Sequence, residues 1–214
     1  MATPEIPTRQ RILQAAEPLF ADLGFSGVSM RAIANAAGVH LGQLPYHFGT
    51  KEALYREIWE YWISQVEADA LLSENRPDVD ASQKDQLHAV VEAFFAGPGR
   101  MLRNPRGRHF VAIMVKEAHD PTAGARSLLE EFIYPNGNRF RDELSRLFPD
   151  MDPMARDAGF EMILAGLRIV IERGRPNADG QLAPSEATRL FGLLTQFIVE
   201  GWMALAEQPT AELG

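Results

Sequence analysis

Apolar residues in this chain recur at helical spacing from end to end and nowhere alternate over the length of a strand. In the first such stretch Ile12, Ala16, Leu19, Phe20 and Leu23 fall at i, i+4, i+7, i+8 and i+11, which puts one apolar stripe on one helix face. Thr8 is a candidate N-cap for this helix, and Gly24 is its expected C-terminal glycine. Pro18 lies inside it and is expected to bend it, because proline cannot donate to the Gln14 carbonyl. A chain patterned this way can bury its stripes only by packing helix on helix, so the expected fold class is all-α.

Glycine, proline and cap-forming residues divide the rest. Ser29 is the expected N-cap of a second, short helix with apolar Met30, Ile33, Ala34 and Ala37, and Gly38 supplies the turn after it. A third helix is expected from near His40 to near Tyr46. Thr50 then caps a long fourth helix, whose apolar Leu54, Ile58, Trp62 and Val66 carry it to about Leu72. The polar stretch SENRPDVDAS (73–82) reads as a loop. Beyond it, helices are expected at about 83–96, 100–104, 106–118, 123–134 and 137–148, separated by GPG (97–99), Asn104-Pro105, Asp120-Pro121 and Pro135-Asn136-Gly137. The last two, 154–173 and 185–206, are apolar on more than one face and need partners on both sides. A second copy of the chain would supply one of those partners, which predicts a homodimer built on these two helices.

Composition narrows the function classes. There is no cysteine, so neither a disulfide framework nor thiolate chemistry is available. The N-terminus MATPEIPTRQR has no apolar signal core, and no uncharged apolar run reaches the roughly 18 residues of a membrane span. These features lead to the expectation of a cytoplasmic protein with no membrane partner. The net charge of −8 is unevenly spread: residues 1–56 carry +1 and the remainder −9. An acidic body leaves only the N-terminal end to approach a polyanion. No phosphate-binding loop, dinucleotide fingerprint or catalytic constellation is found, and no cofactor is expected. His109, Glu117 and His119 are no metal site, since Glu117 and His119 are two apart and face different sides of a helix.

The first three helices shorten in turn, with a glycine turn between the second and third. That is the helix-turn-helix arrangement, in which only the first turn of the last helix must reach base edges in the major groove. Pro45 fits that purpose, because it lies past the groove-facing turn of a helix about to end. Tyr46, His47 and Lys51 around it suit phosphate.

The stretch AAEPLFADLGFSGVSMRAIANAAGVHLGQLPYHFGTKEALY resembles the N-terminal domain of the TetR family of bacterial regulators. The resemblance covers about residues 8–56. It rests on Ala16, Leu19-Phe20, Gly24-Phe25, Ser29, Ile33-Ala34, Ala37-Gly38-Val39, Gly42, Leu44, His47-Phe48, Lys51 and Leu54 in order and at the right spacing. YHFGTKEALY is similar to a branch whose third helix ends in Asn-Tyr-His-Phe. Two positions depart from the family pattern. His40 stands where Ser or Asn usually caps the third helix, and Pro45 stands where many members place a phosphate-contacting tyrosine. The adjacent Tyr46 is expected to take that contact.

The resemblance implies a helix-turn-helix domain over 1–50, a linking helix over 51–72, and a divergent ligand-binding and dimerisation domain over 73–214. The function implied is a dimeric regulator, a repressor on a palindromic double-stranded operator, released by a small, largely apolar effector. Ser29 and Arg31 are the implied backbone contacts; His40, Leu41, Gly42 and Gln43 face the groove; Tyr46, His47 and Lys51 position phosphate. Gln43 would pair with adenine, Leu41 would touch a thymine methyl, and Gly42 would admit the backbone close to DNA. The candidate effector lining is Phe94, Phe95, Met101, Phe110, Met114, Phe160 and Met162, with Arg108, His109 or Arg168 for a polar head group. Plain core packing is the alternative for any one of them. The candidate dimer contacts are Ile163, Leu167, Val170, Leu190, Leu194, Phe197, Ile198 and Trp202. Two other classes stay open: a ligand-processing helical enzyme, and a protein-interaction module that does not bind DNA.

Overall fold

A computed structural model of the chain describes residues 6–72, 80–119, 123–173 and 184–207. The described residues form helices and no strand. The helices are α1 (Thr8–Gly27), α2 (Met30–Ala37), α3 (Gln43–Phe48), α4 (Lys51–Leu72), α5 (Gln83–Arg103), α6 (Pro105–His119), α7 (Ala123–Phe132), α8 (Tyr134–Leu147), α9 (Pro153–Arg173) and α10 (Pro184–Ala206). The loop expected over 73–82 and the Asp120-Pro121 break lie mostly outside the described residues. Ser82 does cap α5, its hydroxyl accepting from the Asp85 N–H.

Several boundaries differ from the periodicity. α1 includes Thr8, with Pro7 in the cap position and no side-chain cap. Gly24 does interrupt that helix, at φ 71°, although one more turn follows to Gly27. α3 starts at Gln43 because residues 40–42 make a tighter turn, with Gln43 N–H bonded to the His40 carbonyl and Leu44 N–H to that of Leu41. The GPG stretch does not break α5. Gly97 and Gly99 are buried there because neighbouring helices come close: a Cβ at Gly97 would lie 2.7 Å from Val66 of α4, and one at Gly99 would lie 3.7 Å from the Phe191 ring of α10. Gly97 serves packing, while a Cβ at Gly99 would make only ordinary contact, and one helix replaces the expected 83–96 and 100–104. Pro135 falls in the first turn of α8, the position proline tolerates best, so that helix begins at Tyr134 and not at 137.

α5 lies at the centre of the body, against α4, α6, α8, α9 and α10. α6 lies against α1, α4, α5, α7 and α9. The N-terminal helices are therefore not a separate bead. A run of rings passes from α1 through α4 to α6: Phe20 against Tyr55 (4.7 Å between centroids), Tyr55 against Trp59 (6.3 Å), Trp59 against Phe110 (5.2 Å) and Phe110 against Trp62 (6.0 Å). All five rings are buried, and burying each contributes on the order of 1.5–3 kcal/mol.

Polar bonds lie across the same seam. Glu17 of α1 is 1% exposed. It accepts two bonds from Arg106 of α6, at 2.9 and 2.7 Å, and one from the Trp62 indole N–H of α4, at 3.1 Å. The Arg106 guanidinium also lies over the Tyr61 and Trp62 rings. Burial pushes the Arg106 pKa down, but its hydrogen bond to and attraction for Glu17 more than offset that, and the net shift is upward. Further along, Tyr55 donates to the buried Glu117 carboxylate, which gives Glu117 a structural role, and Lys116 donates to the Asp22 carbonyl at 2.9 Å. Among the described residues, no helix is long and apolar enough to cross a membrane.

The tightest point is the α5–α6 turn. A Cβ at Gly107 would lie 2.4 Å from the Met101 carbonyl oxygen, a backbone atom that cannot rotate away. Gly107→Ala should cost about 1–3 kcal/mol or more. Thermal unfolding checks this against Gly192→Ala in α10, where nothing lies within 4 Å of the new methyl and stability should stay unchanged or rise by up to about 1 kcal/mol.

Candidate nucleic-acid interface

α2 begins with the cap expected of it: Ser29 Oγ accepts from the Ala32 N–H at 3.1 Å. It ends at Gly38, whose φ of 64° is open to glycine at little cost, and the Gly38 N–H closes on the carbonyls of Ala34 and Asn35. Arg11 of α1 reaches under this turn and donates to the carbonyls of Ala37 and Gly38. α2 packs on α3, and α3 on α4. Leu44 and Phe48 anchor α3 inward, with Arg9 over the Phe48 ring.

The outward groups follow from that anchoring. His40, Leu41, Gly42 and Tyr46 are exposed, as are Ser29 and Arg31, while Gln43 and His47 are half-buried. Leu41 is 42% exposed and Tyr46 84%, large apolar surface the fold does not use. Gly42 has ordinary helical dihedrals, φ −64° and ψ −16°, and nothing lies within 4 Å of where a Cβ would stand. Neither backbone strain nor internal packing requires glycine there.

Two side chains have internal work that sequence reading did not reveal. Gln43 Oε1 accepts from the His40 N–H at 3.1 Å, so its carbonyl caps the turn and its amide N–H groups remain to donate. Two-point pairing with adenine would have to share or give up that cap, since the same oxygen would accept from the base. Lys51 Nζ donates to the carbonyls of Phe25 (2.9 Å) and Val28 (3.0 Å) and lies 4.2 Å from the Phe25 ring centre. It ties the end of α1 to the start of α4, and phosphate would share it with that tie. Arg9 pairs with Glu57, and Arg56 with Glu60 and Glu131. Arg31 makes no ion pair or hydrogen bond among the described residues.

The expected effector lining is mostly closed by packing. Phe110, Phe160 and Met101 are buried and Phe94 is half-buried, stacked on Phe140 at 4.1 Å. Phe95 is buried beside Phe191, and Met114 is half-buried against the core. Met162 is 67% exposed on α9 and lines no interior. Arg108 is buried, donating to the Leu102 carbonyl; His109 is half-buried and Arg168 exposed. Among the described residues, a half-open pocket of about 140 Å³ lies between α4 and the C-terminal part of α5. Met101 is the one expected residue that lines it. The others are Tyr61, Trp62, Gln65 and Val66 of α4, with Gly97, Arg100 and Asn104. Positions 61, 62, 65 and 66 share one helix face, a signal legible in sequence, but which part of α5 opposes it was not.

The expected dimer contacts also divide. Ile163, Val170, Ile198 and Trp202 are buried within the protomer and have no area left for a partner. Leu167, Leu190 and Leu194 are half-buried against the same core. α9 and α10 close on each other there: a Cβ at Gly159 would lie 2.8 Å from the Trp202 ring, and one at Gly166 would lie 2.7 Å from Leu194. Phe197 alone of the eight is open, at 75%. The outward stripes are Leu193, Phe197, Gly201 and Ala204 on α10 and Met154, Ala158, Met162, Ala165 and Ile169 on α9. Most of the residues expected at a dimer contact therefore lie on the inner faces of these two helices.

Two outcomes are expected at the interface. Gly42→Ala should leave stability unchanged or raise it by about 0.4–1 kcal/mol while weakening DNA binding, as read by thermal unfolding beside a DNA titration. Lys51→Ala should lower both, with a stability loss of about 1.5–3 kcal/mol for a charged hydrogen-bond donor. Loss of DNA affinity with an unchanged melting temperature would mark Lys51 as a phosphate contact only.

Comparison with known proteins agrees with this architecture. Residues 12–58 match the family model of bacterial regulatory proteins, tetR family, and residues 89–201 match that of the tetracyclin repressor-like C-terminal domain. The HTH-type transcriptional regulator UidR of Escherichia coli is 45% identical over 58 residues, 27% of this chain and 30% of that protein, so the match spans under a third of its length. The HTH-type transcriptional regulatory protein RaaS of Mycobacterium tuberculosis is 26% identical over the full length of both chains. Among solved structures, SCO3833, a TetR-family member from Streptomyces coelicolor A3, has a TM-score of 0.66 at 18% identity, covering 94% of this chain and 92% of its own. HlyIIR, a hemolysin II transcriptional regulator, has a TM-score of 0.62 at 17% identity, covering 94% and 98%. These relatives are transcriptional regulators and not enzymes. With over half the chain matched by the C-terminal model alone and the helix-turn-helix matched separately, this protein belongs to the TetR family of DNA-binding transcriptional regulators.

Proposed function

We propose that the protein is a ligand-responsive repressor that binds a palindromic operator as a homodimer. The observation that carries the reading is the exposed turn at the start of α3. Leu41 is exposed without a packing role, and Gly42 is a glycine the fold does not need. Both fit a surface shaped for close approach to a partner, and the family supplies DNA as that partner. The exposed stripe around Phe197 on α10, beside that of Met162 and Ile169 on α9, fits pairing with a second copy. A two-fold dimer would present two α3 helices to half-sites about 34 Å apart. The effector enters the α4–α5 cavity and favours a conformer whose α3 helices no longer match that spacing, which requires unequal affinity for the two conformers.

Charge bounds the mode of binding. With Arg9 and Arg56 neutralised by glutamates, Arg11, Arg31 and Lys51 remain as cations in the head. A dimer would then neutralise roughly six phosphates by these groups, and log K would fall against log salt with a slope no steeper than about −5. Affinity would lean on backbone N–H groups and on base-edge contacts.

Selection from random duplex DNA at two salt concentrations tests the reading. An enriched inverted repeat is expected for the native chain. Phe197→Glu should be monomeric in sedimentation and should retain only half-site affinity. No enrichment at either salt, repeated after refolding from denaturant to remove a co-purified effector, would overturn the assignment. An enriched repeat bound equally well by Phe197→Glu would overturn the α9–α10 dimer.

A further inference from the structure

We propose that Arg9 is a latent phosphate-contacting residue, and that Glu57 withholds it from DNA as an internal counter-ion. This rests on the DNA-binding reading above and names a pair that limits the affinity of that same site.

Placement puts Arg9 at the edge of the candidate interface. It stands in the first turn of α1 and is exposed. Its guanidinium lies over the ring of Phe48, the last residue of α3, at 5.1 Å. The ring centres of Phe48 and His47 are 6.2 Å apart, and His47 is one of the expected phosphate positioners. Arg9 is therefore seated on the end of the helix that DNA would meet. Arg56, the other glutamate-paired arginine of the head, faces the body instead. It lies over Phe132 of α7 and pairs with Glu131 of that helix.

The counter-ion comes from α4. Both terminal nitrogens of Arg9 donate to Glu57, one to each carboxylate oxygen. A guanidinium offers the same two-point fork to a carboxylate and to a phosphate, so Glu57 and DNA compete for one group. The competition favours Glu57. Its side chain is 19% exposed, and a carboxylate left so enclosed without its cation is costly. Burial, the largest cause, pushes the Glu57 carboxyl up, Arg9 pulls it down, and Glu60 raises it again; the net shift is upward. The folded head thus favours the neutral form of this side chain, so an amide of the same shape is tolerated there. In Glu57→Gln, Arg9 loses its ionic partner, keeps its seat on Phe48 and is open to phosphate. Phosphate contacts carry no sequence information, so the gain extends to every duplex.

The experiment measures the DNA Kd of the full chain against salt concentration, on a selected duplex and on an unrelated duplex of equal length. Glu57→Gln should bind both at least about fivefold more tightly at low salt, and its slope of log K against log salt should steepen by about 1–2, one added contact in each of two heads. Glu57→Ala, which leaves no amide to hold Arg9, should steepen it as much. Arg9→Gln should keep the native slope within about 0.5, because Arg9 touches no phosphate in the native protein. Arg9→Gln combined with Glu57→Gln should return to the native slope, which separates release of Arg9 from the loss of a negative charge. Glu52→Gln, which removes an exposed acid from the first turn of α4, should also keep that slope. A native slope in Glu57→Gln and Glu57→Ala, a steep slope that persists in the combined variant, or a shallower slope in Arg9→Gln alone would overturn the proposal. An inverted repeat selected by the native chain alongside such a result leaves the regulator reading intact. The expected steepening on the unrelated duplex, in a protein that selects no repeat, supports the Arg9–Glu57 competition while the repressor reading falls.

Discussion

A carboxylate that water does not reach must be held by donors from its surroundings, and at Glu17 those donors come from two other helices. Arg106 of α6 and Trp62 of α4 meet there, and the aromatic run from Phe20 to Phe110 packs along the same seam. Removing one partner of a buried ion pair typically costs about 3–5 kcal/mol, because the other charge is left stranded. The position of α1, and with it the DNA-binding head, is thus set by the body of the protein and not only by its own short core.

The head itself has little free charge. Arg9, Arg11, Lys51 and Arg56 all have internal partners: a glutamate, two pairs of backbone carbonyls, and two further glutamates. Each cation that positions a helix is less available to a phosphate. The exposed surface at the start of α3 consequently consists more of backbone and small or apolar groups, Gly42 and Leu41 among them, than of a basic patch. That fits a chain whose overall charge is acidic.

Much of the helical order was legible from periodicity, because each helix has to present an apolar stripe. The Ser29 cap and the Gly38 turn were legible too, since each depends on one residue's own geometry. The failures share one cause. GPG looked like a break, but the helix runs through it, and Gly97 is small because Val66 of α4 presses on α5. The two-faced apolar pattern of α9 and α10 leaves one face buried in the protomer and one exposed. Which face meets the protomer's own core depends on where α5 lies, and no local pattern carries that.

The sequence by itself determined an all-helical chain, a short third helix behind a glycine turn, and the residues at that helix's exposed start, because spacing, capping and backbone conformation are local properties. Only the tertiary structure decided that Lys51 and Gln43 have internal bonds to keep, that the cavity lies against Tyr61 and Trp62, that Phe197 faces outward while Trp202 does not, and that Glu17 meets Arg106. Those outcomes depend on residues distant in sequence arriving at one place, and burial forces every polar group among them to find a partner there.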